Sequence, residues 1–137
     1  MNYYKNHDSY NPTETIESLR GEHILGIGAL VANTKRAVNP CDIVSFLYSS
    51  GDVPDDYRRI NPGEIQDKLA RLTQKGILIE ARSGNAGKAY VVRDRHTIAA
   101  LMREIEYINN RRGEKNMPPI GAMINVFPHY ADMNSMN

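Results

Sequence analysis

Three times along this chain an asparagine followed by proline, with an acid three positions after the asparagine, precedes an apolar stretch. The motifs are Asn11-Pro12-Thr13-Glu14, Asn39-Pro40-Cys41-Asp42 and Asn61-Pro62-Gly63-Glu64. Proline drives the residue before it out of the helical region and into the extended conformation of an N-cap. The same proline suits the first helical position, where its missing N–H has no partner to lose. The asparagine oxygen can accept from the backbone three residues on, and the acid there can reach back while facing the positive helix end. Each motif is therefore a helix start, and a chain with three of them is directed to a mainly helical fold. The stretches that follow differ in length and pattern, so the motif is a recurring cap and not a domain repeat.

From the first cap to about Val38, Ile16 and Leu19, then Ile24, Ile27 and Val31 flanked by Leu25 and Leu30, fall at helical spacings, with Gly21 as a break. Gly26-Ile27-Gly28-Ala29 faintly resembles a dinucleotide fingerprint, but no strand precedes it and the third glycine is replaced, which favours close helix packing. The second cap opens a helix bearing Ile43, Val44, Phe46, Leu47 and Tyr48, stopped at Ser49-Ser50-Gly51. Asp55 to Ile60 has room for about one to two helical turns. The third cap opens Pro62 to Lys75, where Ile65, Leu69 and Leu72 repeat at helical spacing and Gly76 ends the run.

Ile77 to Arg82 and Ala89 to Arg93 are rich in branched and aromatic residues, and the Gly-containing stretch Ser83 to Lys88 joins them as a hairpin with a basic-edged tip. Asp94 can cap a last helix whose stripe, Ile98, Leu101, Met102, Ile105 and Ile108, ends at Asn109-Asn110-Arg111-Arg112-Gly113. The reading divides the chain into a flexible N-terminal arm, 1–12, a domain over 13–112 and a flexible C-terminal tail, 113–137, within which Ile120 to Phe127 is apolar enough to dock. The tail is also a candidate surface for a protein partner.

Helix, short helix, capped amphipathic helix, hairpin and long helix is the order of a winged helix-turn-helix. Residues 39–93, roughly two-fifths of the chain, resemble the DNA-binding domain of the MarR, ArsR and PadR groups of transcription regulators. Glu64 to Leu78 carries the resemblance, through a helix leading into a Gly-hydrophobic-hydrophobic step, Gly76-Ile77-Leu78. Pro54 to Ile60 is then the second helix of the pair, shorter than usual. The resemblance implies a mostly α fold with a small β-hairpin wing and flanking N- and C-terminal dimerisation helices. It implies a dimeric, sequence-specific, double-stranded DNA-binding protein. Partition or replication-initiation DNA binding, and a protein-docking module of transcription or replication machinery, are its rivals.

With Ile65, Leu69 and Leu72 inward, about 100° per residue places Gln66, Asp67, Ala70, Arg71 and Gln74 outward, with Gly63 at the exposed N-terminal end. Arg71 can pair with guanine or clamp a phosphate, Gln66 can pair with adenine, and Asp67, unfavourable near phosphate, can accept from cytosine. Arg58, Arg59 and Lys68 join this DNA-binding set, as do Arg82, Asn85 and Lys88 of the hairpin, the last group on backbone phosphates. Between Val53 and Arg95 nine basic side chains face six acidic ones, and the whole chain has a net charge of +1, so one copy binds weakly and two on paired half-sites bind usefully. Ile24, Ile27 and Val31 with Ile98, Leu101, Met102, Ile105 and Ile108 are the expected dimerisation surface of a homodimer.

The four histidines, His7, His23, His96 and His129, have no metal-ligand spacing, and no nucleophile triad or phosphate loop is readable. The expectation is a protein that is not an enzyme, without metal or cofactor. Cys41, the single cysteine, excludes an internal disulfide, and packing is favoured over redox sensing for it. That cysteine usage and the absence of a long apolar run lead to an expected cytoplasmic location without a membrane span.

Overall fold

The computed structural model describes residues 9–82 and 87–135. Its helices are α1 (Pro12–Ser18), α2 (Glu22–Ala32), α3 (Pro40–Ser49), α4 (Asp55–Arg58), α5 (Pro62–Gln74), α6 (Arg95–Glu114) and α7 (Gly121–Ser135). Strands β1 (Leu78–Arg82) and β2 (Lys88–Val92) form a small antiparallel sheet between α5 and α6. The protein is thus mostly helical with one two-stranded hairpin. No helix among the described residues is long and apolar enough to cross a membrane.

All three Asn-Pro motifs start helices. The side chains of Asn11, Asn39 and Asn61 accept from the backbone N–H of Glu14, Asp42 and Glu64 at 3.0, 2.9 and 2.8 Å. Only the third closes into a full capping box, in which the Asn61 N–H donates back to Glu64 Oε1. Asp94 caps α6 through the Thr97 N–H at 2.8 Å. Gly21, at φ 97°, separates α1 from α2 in a conformation that favours glycine.

Helix α2 forms the centre of the core. Every residue from Ile24 to Val31 is buried, and α5, α6, α7 and strand β2 pack against that helix. Gly26 lies directly beneath the Tyr57 ring, where a Cβ would come within 2.7 Å of Cε2, and Gly28 faces Leu101 and Leu72. Its glycines therefore serve close helix packing.

Helix α3 packs against α5, and α4 is a single turn in the connection between them. This corrects the expectation that Pro54 to Ile60 supplies the partner helix. The segment before α3 is tied to the hairpin: Val38 and Tyr90 exchange backbone hydrogen bonds at 2.9 and 2.8 Å on the edge of β2 that β1 leaves open. The hairpin pairs Leu78 with Val92, Glu80 with Tyr90 and Arg82 with Lys88.

Two further expectations are corrected. The stripe assigned to dimerisation is covered within one chain. Ile24, Ile27, Val31, Leu101, Ile105 and Ile108 are buried, and Ile98 and Met102 pack half-buried on the same core, because α2 and α6 lie against each other and α1 and α7 close over the flanks of this packing. The region 113–137 is not a tail: α6 continues to Glu114, and α7 buries Ile120, Met123, Ile124, Phe127 and Ala131 against α2 and α3. The phenyl rings of Phe127 and Phe46 meet at 5.0 Å between centroids. At the other end, Pro12 already belongs to α1, and Tyr10 is held by a 2.7 Å hydrogen bond to Thr97 Oγ1 and by Arg93 over its ring. The remainder of the expected arm, 1–8, lies outside the described residues.

Docking of α7 generates a direct test. Phe127 is fully buried, so Phe127→Ala should destabilise the fold by about 3–5 kcal/mol. Chemical denaturation would read this as a lower midpoint, whereas a near-neutral change would mean that α7 is not part of the core.

Candidate nucleic-acid interface

The outer side of α5 is the one its sequence defines most sharply. Ile65, Leu69 and Leu72 are fully buried, while Gly63, Gln66, Asp67, Ala70, Arg71 and Gln74 are exposed and Lys68 is half-buried. Diametrically opposite the buried row, the helical rotation places Gly63, Asp67, Ala70 and Gln74 in one line. Arg71, Lys75 and Lys68 lie successively to one side of it and Gln66 to the other. The line combines small and polar residues, so another surface can approach the backbone closely along it. The side chains of Gln66, Asp67, Ala70, Arg71 and Gln74 take no part in a hydrogen bond or ion pair within the described residues.

A groove runs along each side of this helix. On the Gln66 side it is lined by Asn39, Pro40 and Cys41 at the start of α3, by Gln66, Asp67 and Ala70, and by Lys88 and Tyr90 of the hairpin. On the basic side it is lined by Arg20 to Ile24, Asp67, Lys68 and Arg71. The Val38–Tyr90 pairing brings the first of these together, since it fixes the start of α3 beside β2. Lys88 is exposed, with Glu80 at 3.8 Å. Cys41 is exposed rather than packed in the core, because the second residue of α3 faces this groove.

Not every expected residue joins the face. Arg58 donates from Nε to the Val53 carbonyl at 3.0 Å and from Nη2 to the Ser50 carbonyl, which closes the turn after α3. It has a structural role at that turn and lines neither groove beside α5. Arg59 is exposed but lines a separate recess with Met117, Pro118 and Pro119. Asn85 lies outside the described residues, as does the side chain of Arg82.

A polar cluster that the sequence does not announce lies behind the groove on the basic side of α5. Arg112 is 1% exposed, yet its guanidinium donates to both Asp56 oxygens at 3.0 Å, to Glu22 and, from Nε, to the Pro118 carbonyl at 2.6 Å. His23 hydrogen-bonds Asp56 at 2.8 Å and meets the buried Tyr57 ring edge-on. Two elements and a loop thus converge on one arginine: the starts of α2 and α4, and the segment after α6. Glu22, His23 and Asp56 offer possible metal-ligand atoms within 4.8 Å of one another, but the guanidinium already bonds both carboxylates and supplies the positive charge there. The sequence did hold a sign of this arginine, because Leu101, Ile105, Ile108 and Arg112 share one helical stripe.

Burial pulls the Asp56 carboxyl upward, but hydrogen bonds from Arg112 and His23, reinforced by their charges, hold it at about 2 against an ordinary 3.8. Burial pushes the Tyr57 phenol well up, and the Glu22 charge adds to it. The Asp56 hydrogen bond raises Arg112, against the effect of burial, so its charge is permanent. No buried side-chain nitrogen or oxygen among the described residues is left without a partner.

No protein-family model, curated protein or solved structure matches this chain.

The clamp predicts a pH dependence with a definite sign. A carboxyl lowered by folding stabilises the fold fully above its unfolded pKa and loses that contribution as pH falls through its folded value. The stability gap between wild type and Asp56→Asn should therefore narrow by about 2 kcal/mol as pH falls from 5 to 2. Arg112→Met leaves two carboxylates facing each other without their cation and should cost about 3–5 kcal/mol near neutral pH. Denaturation of both variants across this range measures the effect, and parallel curves for wild type and Asp56→Asn would exclude it.

Proposed function

We propose that this protein binds double-stranded DNA sequence-specifically as a winged helix-turn-helix, with α5 in the major groove and the hairpin as the wing. In this reading α2, Val38, α3, α5, β1 and β2 are the successive parts of the domain. The domain therefore begins at α2 rather than at residue 39, and α3 is a second helix of ordinary length. The observation that carries the reading is the outer line of α5. It is uncommitted to the fold, and cations border it on both sides, Lys68 and Arg71 on one and Lys88 on the other.

The major groove of B-DNA, about 12 Å wide, admits one helix and exposes base edges between two walls of phosphate. A helix with a small, polar midline and basic flanks suits that setting. Phosphate contacts orient the protein, and Gln66, Asp67 and Arg71 are then available to base edges. A carboxylate in this position is repelled by phosphate, so Asp67 belongs against a base that donates, such as cytosine. Lys88 and Arg82 act on the backbone from the wing.

The most economical role is transcription regulation by occlusion of a promoter. The excess of three charges between Val53 and Arg95 is small, so we assign useful affinity to two copies on half-sites about 34 Å apart. Their pairing must use surfaces other than the stripe buried between α2 and α6.

Recovery of source-genome fragments by the purified protein, with salt titration, tests the reading. One or a few palindromic promoter sites support regulation, clustered repeats support partition, and no enrichment overturns DNA recognition in favour of protein docking. On a recovered site, Arg71→Ala should weaken binding by about 1–3 kcal/mol and relax sequence preference at one position. Unchanged affinity at moderate salt would remove Arg71 from the recognition surface.

A further inference from the structure

The groove on the basic flank of α5 contains a cation that neither the helix nor the hairpin supplies. Arg20, in the turn between α1 and α2, lines it together with Lys68 and Arg71. Arg20 and Arg71 are exposed and Lys68 is half-buried. None of the three forms an ion pair within the described residues.

The acids of the same groove do not neutralise them in equal measure. Glu22 has its carboxylate on the Arg112 guanidinium, and His23 is bonded to Asp56, so both are drawn into the clamp behind the groove. Asp67 also lines the groove and pairs with none of the three cations, which therefore face one uncommitted carboxylate there. Gly21 sits between Arg20 and Glu22 at φ 97°, and the space where a Cβ would stand is open for 4 Å. Three like charges from two elements around an open depression repel one another, and a bound anion relieves that repulsion. Arginine adds a planar fork of donors matched to phosphate oxygens.

We propose that this groove receives a backbone phosphate of DNA, with Arg20 as its principal donor and Lys68 beside it. The inference rests on the DNA reading above and extends it. Lys88 and the wing approach the backbone on one side of α5, and Arg20 approaches the backbone on the other. The recognition helix is thereby held between both walls of the major groove. Arg20 sets affinity and register, while base choice stays with Gln66, Asp67 and Arg71.

The test is a salt titration of the full chain, followed by fluorescence anisotropy, on a recovered duplex and on a scrambled one. Arg20→Ala should lower the slope of log affinity against log salt by about 0.9, equivalent to about eightfold weaker binding at 0.1 M salt. The loss should be equal for both duplexes, leaving their ratio intact, and Arg20→Lys should recover most of it. If wild type binds DNA and Arg20→Ala binds identically, the groove assignment fails and the DNA reading stands. If wild type binds neither duplex, both fall. Inorganic phosphate alone supplies the remaining arm: amide shifts around Gly21 that saturate at low millimolar phosphate and vanish in Arg20→Ala, with no change in DNA affinity, would make free phosphate the ligand and overturn the backbone assignment.

Discussion

Arg112 is the residue on which the arrangement of the remaining parts depends. It is a permanently charged side chain placed at the edge of an apolar core, where isolation would be very costly. Both Asp56 oxygens, Glu22 and the Pro118 carbonyl offset that cost by bonding it directly. Asp56 starts the turn α4, which lies between α3 and α5, and Glu22 starts α2, against which α5 packs. A single guanidinium thus joins the start of α2, the turn before α5 and the segment after α6. Because Glu22 and Arg112 are ninety positions apart, the tie closes a long loop of the chain, at an entropic cost that grows only slowly with its length. The apolar contacts supply most of the driving force, and the clamp selects one arrangement among those the contacts allow.

Much of this fold was legible in local chemistry. The Asn-Pro caps, Asp94 and Gly21 act through neighbours only a few positions away, so their effect can be read from spacing alone. The hairpin and the inward row of α5 are equally local. What could not be read were relations between distant segments. Periodicity showed that α2 and α6 each need a covering surface, but a stripe looks the same whether another helix of the chain or a second copy covers it. In this chain α2 and α6 cover each other. The pairing of α3 with α5 was obscured because the link that places α3 beside the hairpin is one residue, Val38, too short to leave a strand pattern.

The C-terminal helix was missed for a compositional reason. Asparagine, methionine and proline between Glu114 and Asn137 resemble the composition of a solvated tail, and Pro128 lies inside the helix itself. Yet Ile120, Met123, Ile124, Phe127 and Ala131 keep helical spacing, and a small core gains much from one more covering helix. Of the candidate interface, the exposure of the outer residues of α5 was legible. Nothing in the neighbourhood of Arg58 reveals that it closes the turn after α3, and nothing in that of Arg20 reveals that α5 passes beside it.

The outer face of α5 asks nothing of the fold. Gln66, Asp67, Ala70, Arg71 and Gln74 have no internal side-chain bond to lose, and exposed substitutions of this kind usually change stability by no more than about 0.5 kcal/mol. The side chains that hold the helix in place and those left free of the fold are therefore separate sets on opposite faces of the same thirteen residues. Such a division makes the surface interchangeable: a few letters of one helix can change while the caps, the core and the Arg112 clamp are inherited unaltered.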